Sequence, residues 1–209
     1  MAGALAIVAV ATASLTFADA ASIRPAHNPA NSPRLLNKPI EGFRYDWGTG
    51  CKPANRIPSG MHALQRWLTR KVPRGESWGI HNCHVLPGGH WSLHSDNRAI
   101  DWHLDVTNPK DRREAYNLIH TLLAKDDKGN YAALARRMGI QGFIYNCHFW
   151  WARNPSAGMQ RYSYCYNSHG HMRHGLNPTL AHMDHVHIEL NLPGAHKQTS
   201  FWDSPAANR

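Results

Sequence analysis

With 209 residues, 23 Lys and Arg, 14 Asp and Glu and a formal charge of +9 at pH 7, the chain has the size of one ordinary domain with its own core. A mean hydropathy of -0.52, with charges recurring throughout, excludes a membrane-crossing stretch beyond the first twenty residues. The basic balance suits polyanionic partners such as cell-wall polymers, anionic lipid surfaces or nucleic acid, and it equally suits simple solubility.

Residues 1–20 read as a secretory leader. Positions 2–17 form an apolar run too short to span a bilayer, and Ala18, Asp19 and Ala20 follow with small residues where signal peptidase cuts. The only positive charge before that run is the terminal amine, and no Cys follows the cleavage point to carry a lipid. Residues 21–44, rich in Pro, Asn and Ser, read as an extended and poorly ordered arm, with one domain over 45–209.

Ser59 can cap a helix in which Met61, Leu64, Trp67 and Leu68 recur at helical spacing to about residue 71. Residues 99–106 alternate Ile100, Trp102, Leu104 and Val106 with Ala99, Asp101, His103 and Asp105, the pattern of a half-buried strand. Asn108-Pro109 supplies a cap and an N1 proline for a helix to about residue 124 that shows Ala115, Leu118, Ile119 and Leu122 on one face. A shorter helix is predicted over 131–138, stopped by Gly139, then strands over 142–145 and around 185–190. Helices and strands interleaved without a parallel βαβ rhythm predict an α+β domain, a small antiparallel sheet with helices packed on one face.

Four cysteines fit an oxidising compartment. No CxxC pair occurs, which argues against a zinc ribbon, and Cys51–Cys83 with Cys147–Cys165 is the simplest of the three connectivities. Each bridge would stabilise the fold by ~3 kcal/mol through loop closure.

Sixteen histidines prove nothing by number, so their arrangement matters more. His94 precedes the strand that carries Asp101, and Asp184-His185-Val186-His187 enters another strand ninety residues later. His94, Asp101 and His187 offer two imidazoles and a carboxylate, the ligand set of a catalytic Zn²⁺ that keeps its fourth position open. His103 shares a face with Asp101 and is placed in hydrogen-bonded support, as is His185, which can orient Asp184. Strand alternation is expected to turn His182 and His185 away from the metal. The aromatics Tyr145, Phe149, Trp150, Trp151, Tyr162, Tyr164 and Tyr166 read mostly as packing around the second disulfide loop, with one or two free to line a cleft.

The stretch SLHSDNRAID, residues 92–101, resembles the Ser-x-His-x-x-Gly-x-Ala-x-Asp motif of the zinc D-alanyl-D-alanine metallopeptidases, and DHVH, residues 184–187, resembles their acid-x-x-His motif. That family shares its fold with the Hedgehog signalling domain. The resemblance implies zinc on His94, Asp101 and His187, Asp184 as general base, and hydrolysis of peptide bonds in peptidoglycan stems or cross-links, by carboxypeptidase or endopeptidase action. In particular, the stretch around residues 182–190 is similar to exported actinobacterial and fungal members. Two positions depart from the pattern. Asn97 replaces the motif glycine, and it tolerates a left-handed backbone better than most residues. His84 stands where many members carry an arginine for the substrate carboxylate. Arg98 either supplies that charge or sits in water at the strand edge. The competing classes are a non-catalytic Hedgehog-like zinc protein that binds a partner, and a secreted metal-dependent nuclease.

Overall fold

The alternation at 99–103 and 185–190 places two strands side by side at the middle of a mixed α+β structure. In this computed structural model the described residues are 27–208, so the leader and the first residues of the arm lie outside them. In chain order these residues form α1 (Pro33–Leu36), α2 (Ser59–Lys71), β1 (Glu76–Gly79), β2 (Ala99–His103), α3 (Pro109–Leu123), α4 (Ala133–Met138), β3 (Ile140–Tyr145), β4 (His148–Trp151), β5 (Gln160–Arg161), β6 (His185–Leu190) and α5 (Leu192–Ala195). The strands make one six-stranded sheet in the order β1-β2-β6-β3-β4-β5, every neighbour antiparallel.

One face of that sheet is the core. Ile100 and Trp102 of β2, Val186 and Ile188 of β6, Phe143 of β3 and Trp150 of β4 join one apolar cluster with Leu64 and Trp67 of α2, Leu118 and Leu122 of α3, and Leu134 and Met138 of α4. The period of two therefore sends Asp101, His103, His185, His187 and Glu189 to the other face.

Several expectations hold locally. Helix α3 starts as predicted, with Pro109 at N1 and the Asn108 side chain accepting from the Lys110 N–H at 3.0 Å. Both disulfides form with neighbour pairing, Cys51–Cys83 and Cys147–Cys165, with Cα atoms 5.5 and 5.6 Å apart. No helix among the described residues is long and apolar enough to cross a membrane.

Other expectations need correction. The arm predicted to be poorly ordered is packed over its described part: Ala30 and Leu35 are fully buried in the main core. Asn28 Nδ2 donates to Lys125 O at 3.2 Å, and Asn31 Nδ2 donates to Asp127 at 2.6 Å. Composition pointed to an extended arm, yet two apolar side chains and two amides suffice to dock it. Helix α4 begins at Ala133 rather than 131, because Ala132 takes a left-handed backbone, φ 51°. Strand β2 ends at His103, though Leu104 and Val106 still donate their N–H groups to Asp184 O and Met183 O. Among the aromatics, Tyr145 and Trp150 are core residues, whereas β3–β4 pairing puts Phe149 and Trp151 on the polar face with Ile144 and Gly142.

Leu35→Ala should therefore cost about 2–5 kcal/mol, the range for a buried leucine. Urea denaturation checks this, and a loss well below 1 kcal/mol would mean that α1 is not part of the core.

Candidate metal centre

His94 sits in a tight turn that ends at β2. Asp96 N and Arg98 N both donate to Leu93 O, at 3.2 and 2.8 Å, and Asn97 N donates to His94 O at 3.2 Å. Asn97 has φ 56°, the left-handed conformation that the motif glycine would supply, and its amide Nδ2 donates to Pro53 O at 2.9 Å. Asp101 and His187 are direct cross-strand partners in the β2/β6 ladder. Their register and the turn bring three ligand atoms into one small triangle. His94 Nε2 lies 3.1 Å from Asp101 Oδ1 and 3.1 Å from His187 Nδ1, and His187 Nδ1 lies 3.0 Å from Asp101 Oδ1.

The outer nitrogens decide the protonation. His94 Nδ1 is 2.8 Å from Ile80 O, which can only accept, so Nδ1 carries the proton and the Nε2 lone pair faces the triangle. His187 Nε2 is 3.2 Å from Glu189 Oε1, which likewise draws the proton outward and leaves Nδ1 facing in. With both rings neutral, two lone pairs and a carboxylate oxygen converge on one point. Ligand atoms at ~2.0–2.1 Å from a tetrahedral ion stand about 3.3 Å apart, close to the spacing seen here. The donor set fits a metal cation.

Burial opposes charge on His187, but hydrogen bonds to Asp101 and Glu189 override it and raise the imidazole to about 10, so with no ion present Nδ1 holds a proton that a cation would displace. Burial would raise Asp101, yet His187 and His94 hold its carboxylate far below the usual range. The triangle attracts positive charge, as a proton or as a metal ion. Asp101 keeps 28% of its side chain accessible while His94 and His187 are almost closed off, so the centre opens to solvent on the carboxylate side.

Asp184 lies one imidazole away from the triangle. Its Oδ1 is 2.7 Å from His185 Nδ1, its Oδ2 accepts from Thr179 Oγ at 2.6 Å, and His185 Nε2 reaches within 3.4 Å of Asp101 Oδ1. His103 Nδ1 sits 2.8 Å from the Asp184 carbonyl oxygen, where it can only donate, and so it pins the backbone that carries the acid. His182 was expected to turn away from the site. It precedes β6, so alternation does not govern it, and a left-handed backbone, φ 51°, lays its ring 4.9 Å from His185 and 5.6 Å from His187. Burial first, then the neighbouring imidazoles, push its pKa well below the ordinary value. His185, also expected to turn away, faces the site because it lies two positions from His187 on the same strand.

Two sequence candidates are elsewhere. Arg98 is neither a free cation nor in water: it is 1% exposed, its Nε bonds Asp96 at 2.8 Å, and its other nitrogens donate to the carbonyls of Leu190, Asp46 and Trp47. It sutures the chain behind the site. His84 is exposed, with Nδ1 3.2 Å from Asn82 O, and makes no contact with the triangle. Glu189 was overlooked, although its place two residues after His187 on the same strand face was the available signal. Gln141 Nε2, 3.4 Å from Glu189 Oε2, holds it in turn. Cys51, His81 and Cys83 also converge, but the two sulfurs are bonded to each other. A cavity of about 600 Å³ between α2 and α3 is lined by Lys71, Arg74, Lys110 and Arg113 around Trp67, and none of the triangle residues borders it.

Comparison with protein-family models, with curated proteins and with solved structures returns no match.

Glu189→Gln keeps the shape and removes the charge that polarises His187. Metal affinity should fall about 10–100-fold, the usual effect of losing a partner behind a ligating histidine, with little change in melting temperature. Titration with Zn²⁺ reads the change, and an unaltered affinity would detach Glu189 from the centre.

Proposed function

We propose that the chain is an exported zinc-dependent peptidase that hydrolyses an amide bond in peptidoglycan stem or cross-link peptides. The observation that carries this reading is the convergence of the inward ring nitrogens of His94 and His187 with an Asp101 oxygen on a centre open at one side. Two neutral imidazoles and one carboxylate are a catalytic zinc set, and the resemblance at residues 92–101 and 184–187 supplies the substrate class. Export is supported by the leader-like residues 1–20 and by the two disulfides.

His94, Asp101 and His187 would hold the zinc. When bound, zinc supplies Lewis-acid polarisation of the amide carbonyl and an acidified water. Asp184, paired with His185, takes the proton of the attacking water and later returns it to the leaving amine. His185 lies between Asp184 and the triangle, 2.7 Å from the acid and 3.4 Å from Asp101, and Thr179 and His103 keep the acid in place. Lys71, Lys110 and Arg113 support contact with an anionic cell-wall polymer on the helical side of the domain, beside Arg74, which is paired with Asp111.

Incubation of the zinc-loaded protein with peptidoglycan fragments, followed by mass spectrometry, identifies the bond cut. Asp184→Asn should retain zinc and melting temperature and lose about 10²–10⁴-fold in turnover. Full zinc with no hydrolysis by the unaltered protein would favour a Hedgehog-like binding protein, and cleavage of DNA in a parallel zymogram would favour the nuclease. Near-normal turnover in Asp184→Asn would end the general-base role.

A further inference from the structure

Trp78 lies on the edge strand β1 with 48% of its surface exposed. Ser77 pairs with Trp102 and Gly79 pairs with Asp101, so the ladder is irregular at Trp78, which has no partner of its own. Such a bulge re-aims a side chain, and bulges concentrate beside active sites. Here it lays the indole flat on the His103 ring, with centroids 4.2 Å apart and 15° between the planes, and 5.9 Å from His185. His103 is itself fixed by its hydrogen bond to the Asp184 carbonyl oxygen. Among the described residues these two imidazoles are the indole's only ring neighbours, and no cation covers its outer face.

A lone exposed hydrophobic residue needs no special account. Trp78 differs in its mount and its place. It is held on its inner face by an imidazole that also positions the acid, and it stands next to β2, the strand that carries Asp101. On the far side of β6, Tyr162 packs against His182 at 5.3 Å and against Phe149 at 6.5 Å. The triangle therefore lies between two aromatic banks, of which Trp78 presents a rigid, open surface. A preorganised aromatic contributes affinity with little loss of side-chain entropy on binding.

We propose that Trp78 is a substrate-positioning residue whose open indole face stacks on a flat C–H surface of the group flanking the scissile amide. This rests on the peptidase reading above. Such a surface comes either from a sugar ring of the glycan or from an aliphatic or proline side chain of the peptide, and the substrates used in the test separate these sources.

The experiment measures kcat and KM for the zinc-loaded full chain, Trp78→Ala and Trp78→Phe. One substrate is a disaccharide-peptide fragment of peptidoglycan, and the other is the same peptide freed of sugar. Trp78→Ala should raise KM roughly tenfold, as expected for a lost stacking contact, with kcat, zinc content and melting temperature nearly unchanged, and Trp78→Phe should recover most of the loss. A rise confined to the disaccharide-peptide assigns the surface to the sugar, and a rise on both assigns it to the peptide. Unchanged KM on both substrates overturns the proposal, as does a joint fall in zinc content and melting temperature. If the unaltered protein cleaves neither substrate, the peptidase reading fails by itself. Fluorescence quenching by the same fragments then decides: quenching lost in Trp78→Phe retains the role of Trp78, and equal quenching removes it.

Discussion

Asp101 and His187 face each other across the central β2/β6 pair, and the site depends on that register. A slip of β2 by one residue would turn Asp101 into the core, away from His187, and bring Ile100 to the site face. The register is held from behind by the burial of Ile100, Trp102, Val186 and Ile188, so the energy that specifies the triangle of His94, Asp101 and His187 is largely hydrophobic. The same alternation lines up His103, His185 and Glu189 beside the ligands, and it gives Asp184 a partner without further loop structure.

The third residue of the triangle, His94, has no strand to place it, and the chain uses a clasp instead. The turn over residues 92–98 is almost entirely buried, although most of it is polar. Buried polar groups are tolerable only when bonded. Ser95 Oγ donates to the carbonyls of Asn82 and His84, Lys52 N donates to Ser95 O at 2.7 Å, and Asn97 reaches Pro53. The two segments that grip the turn are themselves joined by Cys51–Cys83. Arg98 closes the clasp from below by gathering the carbonyls of Asp46, Trp47 and Leu190. Its charge is neutralised by Asp96, so a residue that looked like a substrate contact serves the geometry of His94 instead.

Local rules determined much of this protein. Helical spacing with Asn108-Pro109 and Gly139 marked α3 and the end of α4, alternation marked β2 and β6, an even cysteine count suited the two bridges, and two short motifs named His94, Asp101 and His187 as one group. Apart from the motifs, which rest on a family resemblance, these features depend on neighbours within a few residues, where sterics and periodicity act alone. Tertiary structure decided the rest. Strand order brought Asp101 opposite His187 across 86 residues, and burial chose a bonded, inert Arg98 over a free one. The docking of Ala30 and Leu35, the left-handed backbone that turns His182 inward, and the bulge that lays Trp78 on His103 all arise from packing between distant segments. Composition cannot report such contacts, because their free energy belongs to pairs of surfaces that meet only in the folded chain.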